Sequence, residues 1–455
     1  MTEQLKLKLN DSKATRWGAL VIVAFTMMAA YYVNDVVAPL KTMLETDLAW
    51  SSTDFGFFTG GYSFLNVFFL MLIWGGLILD RFGIRFTGKL ATILMVGGTA
   101  LEYYAMTGLA GADATLFGIN EIFGYKTGVF VAFAGYSIFG VGAEVAGITV
   151  SKIIAKWVKG VQVALARIGS QAGYAVAIPL ARAFGISTPV LLGLVLLLGG
   201  MIAFFIFAVM DKKLDKQMEA AAIAAGTEDE EEKFSFKDVK NILVNPGFWL
   251  IALLCVLFYS CVFPFQKFAS ELMIIKYGIN ENVAGTFAGL PALGALILTP
   301  VFGGFIDKRG KSASIMLLGS AMLICVHFIY AIPDINYWLV AIVLMIILGI
   351  AFSLVPSAMW PAVAKIFPVS QLGTAYALIF FIQNIGLWGI PTLIGWVLDA
   401  YCISGKKPDG TNMYDYTVPM CIFTGIACLS LIVALLLKKA DKKYGYKLEE
   451  PNIQK

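Results

Sequence analysis

The stretch Gly75–Arg85 reads Gly-Gly-Leu-Ile-Leu-Asp-Arg-Phe-Gly-Ile-Arg, and it returns at Gly303–Gly310 as Gly-Gly-Phe-Ile-Asp-Lys-Arg-Gly. Gly76, Asp80 and Gly83 map onto Gly303, Asp307 and Gly310 with one constant offset of 227 residues, almost half of the 455-residue chain. A repeat of that length implies two homologous halves. Each copy stands where a long apolar run gives way to a short basic loop, the position of an elbow between a second and third membrane helix.

The apolar runs set the fold class. Hydrophobic residues are 59% of the chain and charged ones 14%, against roughly a quarter charged in a soluble protein. A helix needs about 20 apolar residues to cross ~30 Å of hydrocarbon. Such runs are Trp17–Pro39, Ser52–Leu79, Thr87–Met106, Thr127–Val150, Val161–Phe184 and Thr188–Met210, then Phe248–Met273, Val283–Ile306, Ala313–Ile332, Tyr337–Ile366, Leu372–Leu398 and Val418–Leu437. The expectation is an all-α membrane protein with twelve spans, six plus six, in two pseudo-symmetric bundles. Its units are 1–210, a linker 211–243 carrying the acidic run Glu228–Glu232 and a short surface helix near Phe236–Leu243, and 244–455. The first run lacks a small-residue cleavage site and reads as a retained helix.

Alternating loops divide the bases unequally: 26 of 34 Lys and Arg fall on the side of the termini. The positive-inside rule then places both termini in the cytoplasm. Net charge is only +4 and no basic patch gathers, so nucleic acid is not an expected partner; the bilayer is. Five of the six cysteines lie in apolar runs and only one histidine, His327, is present, so neither a disulfide framework nor a metal or cofactor is expected. His327 reads as a packing or interhelical hydrogen-bonding residue.

At the elbows, Gly76 and Gly303 are expected to allow close backbone approach, and Gly83 and Gly310 a tight turn. Asp80 and Asp307 stand there beside Arg81, Arg85, Lys308 and Arg309. This Gly-x-x-x-Asp-Arg/Lys-x-Gly pattern, twice and correctly placed, resembles the loop signature of the major facilitator superfamily. The resemblance implies that the two aspartates latch the bundles together in one state of a transport cycle. The second copy has Ser312 where the first has Arg85, so its latch is weaker or differently partnered.

An ionisable side chain inside a span is costly and by default a candidate site. Glu144 in span four and Arg167 in span five stand at one depth, about 10–12 Å from the cytoplasmic ends at ~1.5 Å rise per residue. Arg167, Ser170, Gln171 and Tyr174 are spaced as one helical face. Either Glu144 and Arg167 form a buried salt bridge, or they flank an aqueous cavity, the guanidinium taking a carboxylate and the glutamate an ammonium. Asp35 is a gate or proton-site candidate, or an interfacial cap. Lys267 and Glu271 read as an ordinary i, i+4 pair. Trp360, Tyr376, Gln383 and Asn384 supply milder polarity in the second half, for a solute or for helix packing.

Gly142-Ala-Glu144, Ala155–Gly160, Ala166–Ser170, Met359-Trp-Pro361, Gln371–Tyr376 and Gln383-Asn384 are similar to the branch of that superfamily containing the animal lysosomal dipeptide transporter. The resemblance implies that Glu144 takes the α-amino end of a dipeptide and Arg167 its carboxylate. The N-tail lacks an acidic dileucine sorting signal, so the expected location is a bacterial-type plasma membrane. A monomer working by uniport or proton-coupled symport is expected. The rival readings are a symporter of carboxylates or sugar acids and a nutrient sensor without flux. No enzyme motif is found: neither His-Glu-x-x-His, nor Gly-x-Ser-x-Gly, nor a phosphate loop.

Overall fold

The structure is a computed structural model that describes residues 12–111, 114–157, 167–225 and 236–452. In the first half, α1 (Lys13–Val36) runs through a 3-10 turn at Ala38–Leu40 into α2 (Lys41–Leu48), followed by α3 (Ser52–Phe68), α4 (Met71–Thr107), α5 (Thr127–Trp157), α6 (Arg167–Phe184) and α7 (Thr188–Ala225). A short helix, α8 (Phe236–Val244), leads to the second half: α9 (Pro246–Tyr277), α10 (Glu281–Ala288), α11 (Leu290–Arg309), α12 (Ser312–Ala331), α13 (Trp338–Ile366), α14 (Val369–Tyr401) and α15 (Thr417–Tyr444).

Among the described residues, nine segments are each long and apolar enough to cross a bilayer. The second and third crossings share α3 and α4. These two helices bend by 58° at the break after Phe68, where Leu70 takes a left-handed backbone (φ 54°), unusual for a bulky residue. α4 is itself broken by a kink at Gly83 (φ 74°, ψ 176°), between the second and third apolar runs. α6 lies where the fifth apolar run ends, and the described helices are consistent with the twelve spans that the run lengths predict.

The halves cohere by close helix approach. A Cβ on Gly135 of α5 would come within 2.6 Å of the Gly98 carbonyl oxygen of α4, so only hydrogen fits there. Without a hydrophobic driving force between helices in lipid, such dispersion contacts hold a bundle. His327 is buried, its Nε2 3.0 Å from the Cys261 carbonyl oxygen and its ring against Phe265 and Phe423.

Two local expectations need correction. A Cβ on Gly76 or Gly303 would meet nothing within 4 Å; the tight glycine is Gly75, packed on Val145 of α5. Gly83 and Gly310 do take positive φ, at 74° and 71°. The first part of the expected linker is helical and only partly solvated: α7 continues through Asp211, which is fully buried and accepts bonds from Lys156 (2.8 Å) and Trp157 (2.9 Å), while Lys212, Lys213 and Lys216 are exposed. The acidic run 228–232 lies outside the described residues.

The two halves meet chiefly at the face opposite the termini. Asp399 of α14 caps α3 across the seam, accepting from the Ser52 and Thr53 backbone N–H groups (3.3 and 2.6 Å) and from the Thr53 hydroxyl. Lys41 bridges Glu45 and Glu271 at 2.5 Å each, while Lys407, from the hairpin Ile403–Lys406/Asn412–Tyr414, reaches Glu45 (3.5 Å) and Glu271 (3.4 Å). Tyr416 donates to Glu271 at 2.5 Å. Lys267 and Glu271 are thus not an i, i+4 pair: each turns to the other half, because both neighbours on α9 face the seam. Arg182 likewise bonds Glu281 and Asn282 across it.

Removing one partner of a buried pair leaves the other charge uncompensated, at a cost of about 3–5 kcal/mol. Glu271→Gln is therefore expected to open this face. Ser52→Cys in a cysteine-free background should react with maleimide at least tenfold faster when Glu271→Gln is added; an unchanged rate would contradict the role of the cluster.

Candidate functional site

Between the halves lies a cavity of about 360 Å³, within the range of small-molecule sites. Its floor is the sealed seam just described, and Gly147, Ile148 and Ser151 of α5 carry its wall toward the face of the termini. One side is apolar and aromatic, with Tyr259 and Phe263 stacked 5.4 Å apart on α9 and Trp360 against Phe380 at 4.8 Å.

Glu144 and Arg167 both line this space and do not bond each other. Glu144 projects from the face of α5 next to α3, where Tyr62 donates to it at 3.0 Å. α5 can lie close enough for this because a Cβ on Gly140 would overlap the Tyr62 carbonyl oxygen. Arg167, the first described residue of α6, sets its guanidinium carbon 4.6 Å from the Tyr31 ring centre and 5.3 Å from that of Phe352. Among the described residues it has no hydrogen-bonding or ion-pair partner. A carboxylate acceptor and a guanidinium with unused donors thus share one chamber, an arrangement suited to a zwitterion.

Trp360 and Gln383 also line the cavity. Ser170, Gln171, Tyr174, Tyr376 and Asn384 do not. Ser170 donates to Asp35, Gln171 to the Thr286 carbonyl oxygen (3.3 Å) and the Tyr174 hydroxyl to that of Gln266 (3.3 Å). The polar stripe of α6 beyond Arg167 therefore serves the first helix and the seam, for which polar groups are equally needed away from lipid. Tyr376 donates to the Trp360 carbonyl oxygen (3.1 Å), and Asn384 to that of Phe380 (2.9 Å).

The gating candidates sit as follows. Asp35 pairs with Lys267 across the seam at 3.3 Å. Asp80 pairs with Lys152 (2.7 Å) and Asp307 accepts from Asn452 (2.7 Å), so each contacts its own half, and these contacts do not latch the two together in this arrangement. Arg85 joins Asp215 at 2.8 Å, and Arg81 lies over the Phe82 ring.

Sequence reading missed Tyr62, whose hydroxyl has no marker in an aromatic-rich run, and Lys267 as a cavity residue. Lys267 holds the Asn34 carbonyl oxygen (2.6 Å) and the Tyr136 hydroxyl (3.3 Å) as well as Asp35. It also missed Glu102 of α4, fully buried with neither carboxyl oxygen bonded among the described residues. The rule that found Glu144 applies equally to Glu102. A buried polar group without partners is destabilising, so Glu102→Met should raise the melting temperature of the purified protein by a few degrees; a fall would show that the carboxyl is compensated.

Known proteins share these features. The model of the Major Facilitator Superfamily matches residues 20–391 and 268–450. The lysosomal dipeptide transporter MFSD1 of Homo sapiens is 28% identical over 454 residues, covering 95% of this chain and 88% of its own. MFSD1 of Gallus gallus is 32% identical over 287 residues, 58% of this chain and 62% of its own. Among solved structures, a mutant of the nucleoside transporter NupG superposes with a TM-score of 0.65 at 13% identity, covering 92% of this chain and 98% of its own. A D-xylose-proton symporter does so with a TM-score of 0.63 at 14% identity, covering 96% and 98%. A mostly helical membrane fold around a central cavity, the doubled loop signature and the family match lead to one assignment: the chain belongs to the major facilitator superfamily and is a membrane transporter of small molecules, not an enzyme.

Proposed function

We propose that the transported solute is a short peptide, a dipeptide first, carried as a zwitterion by alternating access. The carboxylate goes to Arg167 and the α-ammonium to Glu144, with the peptide body against Tyr259, Phe263 and Trp360. The observation that carries this reading is that both charges line one inter-half cavity and, among the described residues, do not bond each other. A guanidinium takes a carboxylate through two parallel bonds, and a glutamate accepting a single phenol bond has acceptor capacity left for an ammonium. The MFSD1 relatives named as dipeptide transporters support the substrate class. The basic asymmetry of the loops supports cytoplasmic termini, so the cavity opens to the cytoplasm here. A plasma membrane of bacterial type is the proposed location.

On this reading the halves rock about the occupied site. Separating the buried ion cluster opens the far face. As the cytoplasmic ends approach, Asp80 and Asp307 reach partners in the opposite half, the role proposed for these elbows, with Gly76 and Gly303 giving the room for that approach.

Counterflow of labelled L-Ala-L-Ala in proteoliposomes tests the substrate. Hydrogen bonds to charged groups contribute about 1.5–3 kcal/mol, so Arg167→Ala and Glu144→Gln should each weaken half-saturation by roughly 10- to 150-fold. Loss with Arg167→Ala and retention with Glu144→Gln would favour a carboxylate or sugar-acid carrier instead. Binding without counterflow would favour a sensor.

A further inference from the structure

The Arg167 guanidinium is held by rings from both halves. Tyr31 stands on α1, in its own half, and lines the cavity. Phe352 stands on α13, in the other half, is 3% exposed, and is not a cavity-lining residue. Phe352 is itself fixed edge-on by Phe263 (5.3 Å, 80°) and by Tyr259 (6.2 Å, 86°), the two stacked rings of α9 that do line the cavity. The chain of contact runs from solute wall to buried ring to guanidinium.

A cation over an aromatic face is attracted by the ring quadrupole, and more strongly where water is excluded. Two ring faces cannot occupy all five N–H donors of a guanidinium, so donors stay available to an acceptor in the cavity. An arginine left to itself samples many rotamers, and fixing it beforehand removes an entropic cost from binding. We infer that Phe352 is a positioning residue for carboxylate capture, holding the Arg167 guanidinium at the cavity wall without touching the solute. This rests on the reading that Arg167 binds the carboxylate. Because Phe352 belongs to the opposite half, the positioning contact depends on how the halves are disposed. It therefore links the carboxylate subsite to the conformation of the carrier.

The test measures the affinities of L-Ala-L-Ala and its C-terminal amide by titration calorimetry on the purified full-length protein. The amide keeps the ammonium and the body but lacks the charge that Arg167 is meant to take. Phe352→Leu is expected to weaken dipeptide binding roughly 3- to 30-fold, the range of a cation–π contact, with amide affinity unchanged. Phe352→Tyr should restore the preference, which a mere packing defect would not show. Equal weakening of both ligands by Phe352→Leu, or no change in their ratio, would overturn the inference if Arg167→Ala abolishes the preference. If Arg167→Ala leaves the ratio unchanged, the carboxylate assignment itself fails, and the inference with it.

Discussion

The arrangement depends on two carboxylates and one ammonium group buried together at the face away from the termini, with a second, partly exposed ammonium beside them. Lys41 and Glu271 are each 1% exposed at the side chain, and they come from different halves. Desolvating such charges costs several kcal/mol per ion, recovered only with close geometry and additional hydrogen bonds. Both conditions are met while the halves touch here: Lys407 adds a second cation, and Tyr416 donates to Glu271. Pulled apart, these groups are stable only if water replaces their partners. The cluster is thus a contact that is either fully made or fully hydrated, which is the property a two-state gate requires.

That closure seals the cavity on the side away from the termini. Asp399 reinforces it by capping a helix of the other half, so a carboxylate meets the positive end of the α3 dipole. At mid-depth Lys267 reaches from α9 to Asn34 and Asp35 of α1. Toward the termini the two elbows each bond within their own half. Their partners differ: Asp80 has Lys152, whereas Asp307 has Asn452 of the C-terminal segment. The sequence departure at Ser312 accordingly coincides with a different partner for the second aspartate.

Much of the fold was legible because hydropathy is a property of segments, and a 227-residue repeat is a property of the whole chain. Glu144 and Arg167 were legible as cavity candidates because charge is scarce within spans. Their separation was not, since equal depth allows both a salt bridge and an open site. Lys267 and Glu271 show a further limit. Spacing along one helix reports the neighbours that a residue has locally, while both of these side chains found partners 230 or more residues away. Ser170, Gln171 and Tyr174 fell on a polar stripe as periodicity requires, but a polar stripe fits a seam between bundles as well as a cavity. Gly76 and Gly303 were read as tight in a region that is open here.

A structure of the protein with L-Ala-L-Ala bound tests the central claim most directly. The peptide is expected in the inter-half cavity, its carboxylate about 2.7–2.9 Å from the Arg167 guanidinium nitrogens and its ammonium within hydrogen-bonding distance of Glu144. A peptide bound elsewhere, or one held in the cavity with these two side chains bonded to each other, would contradict it.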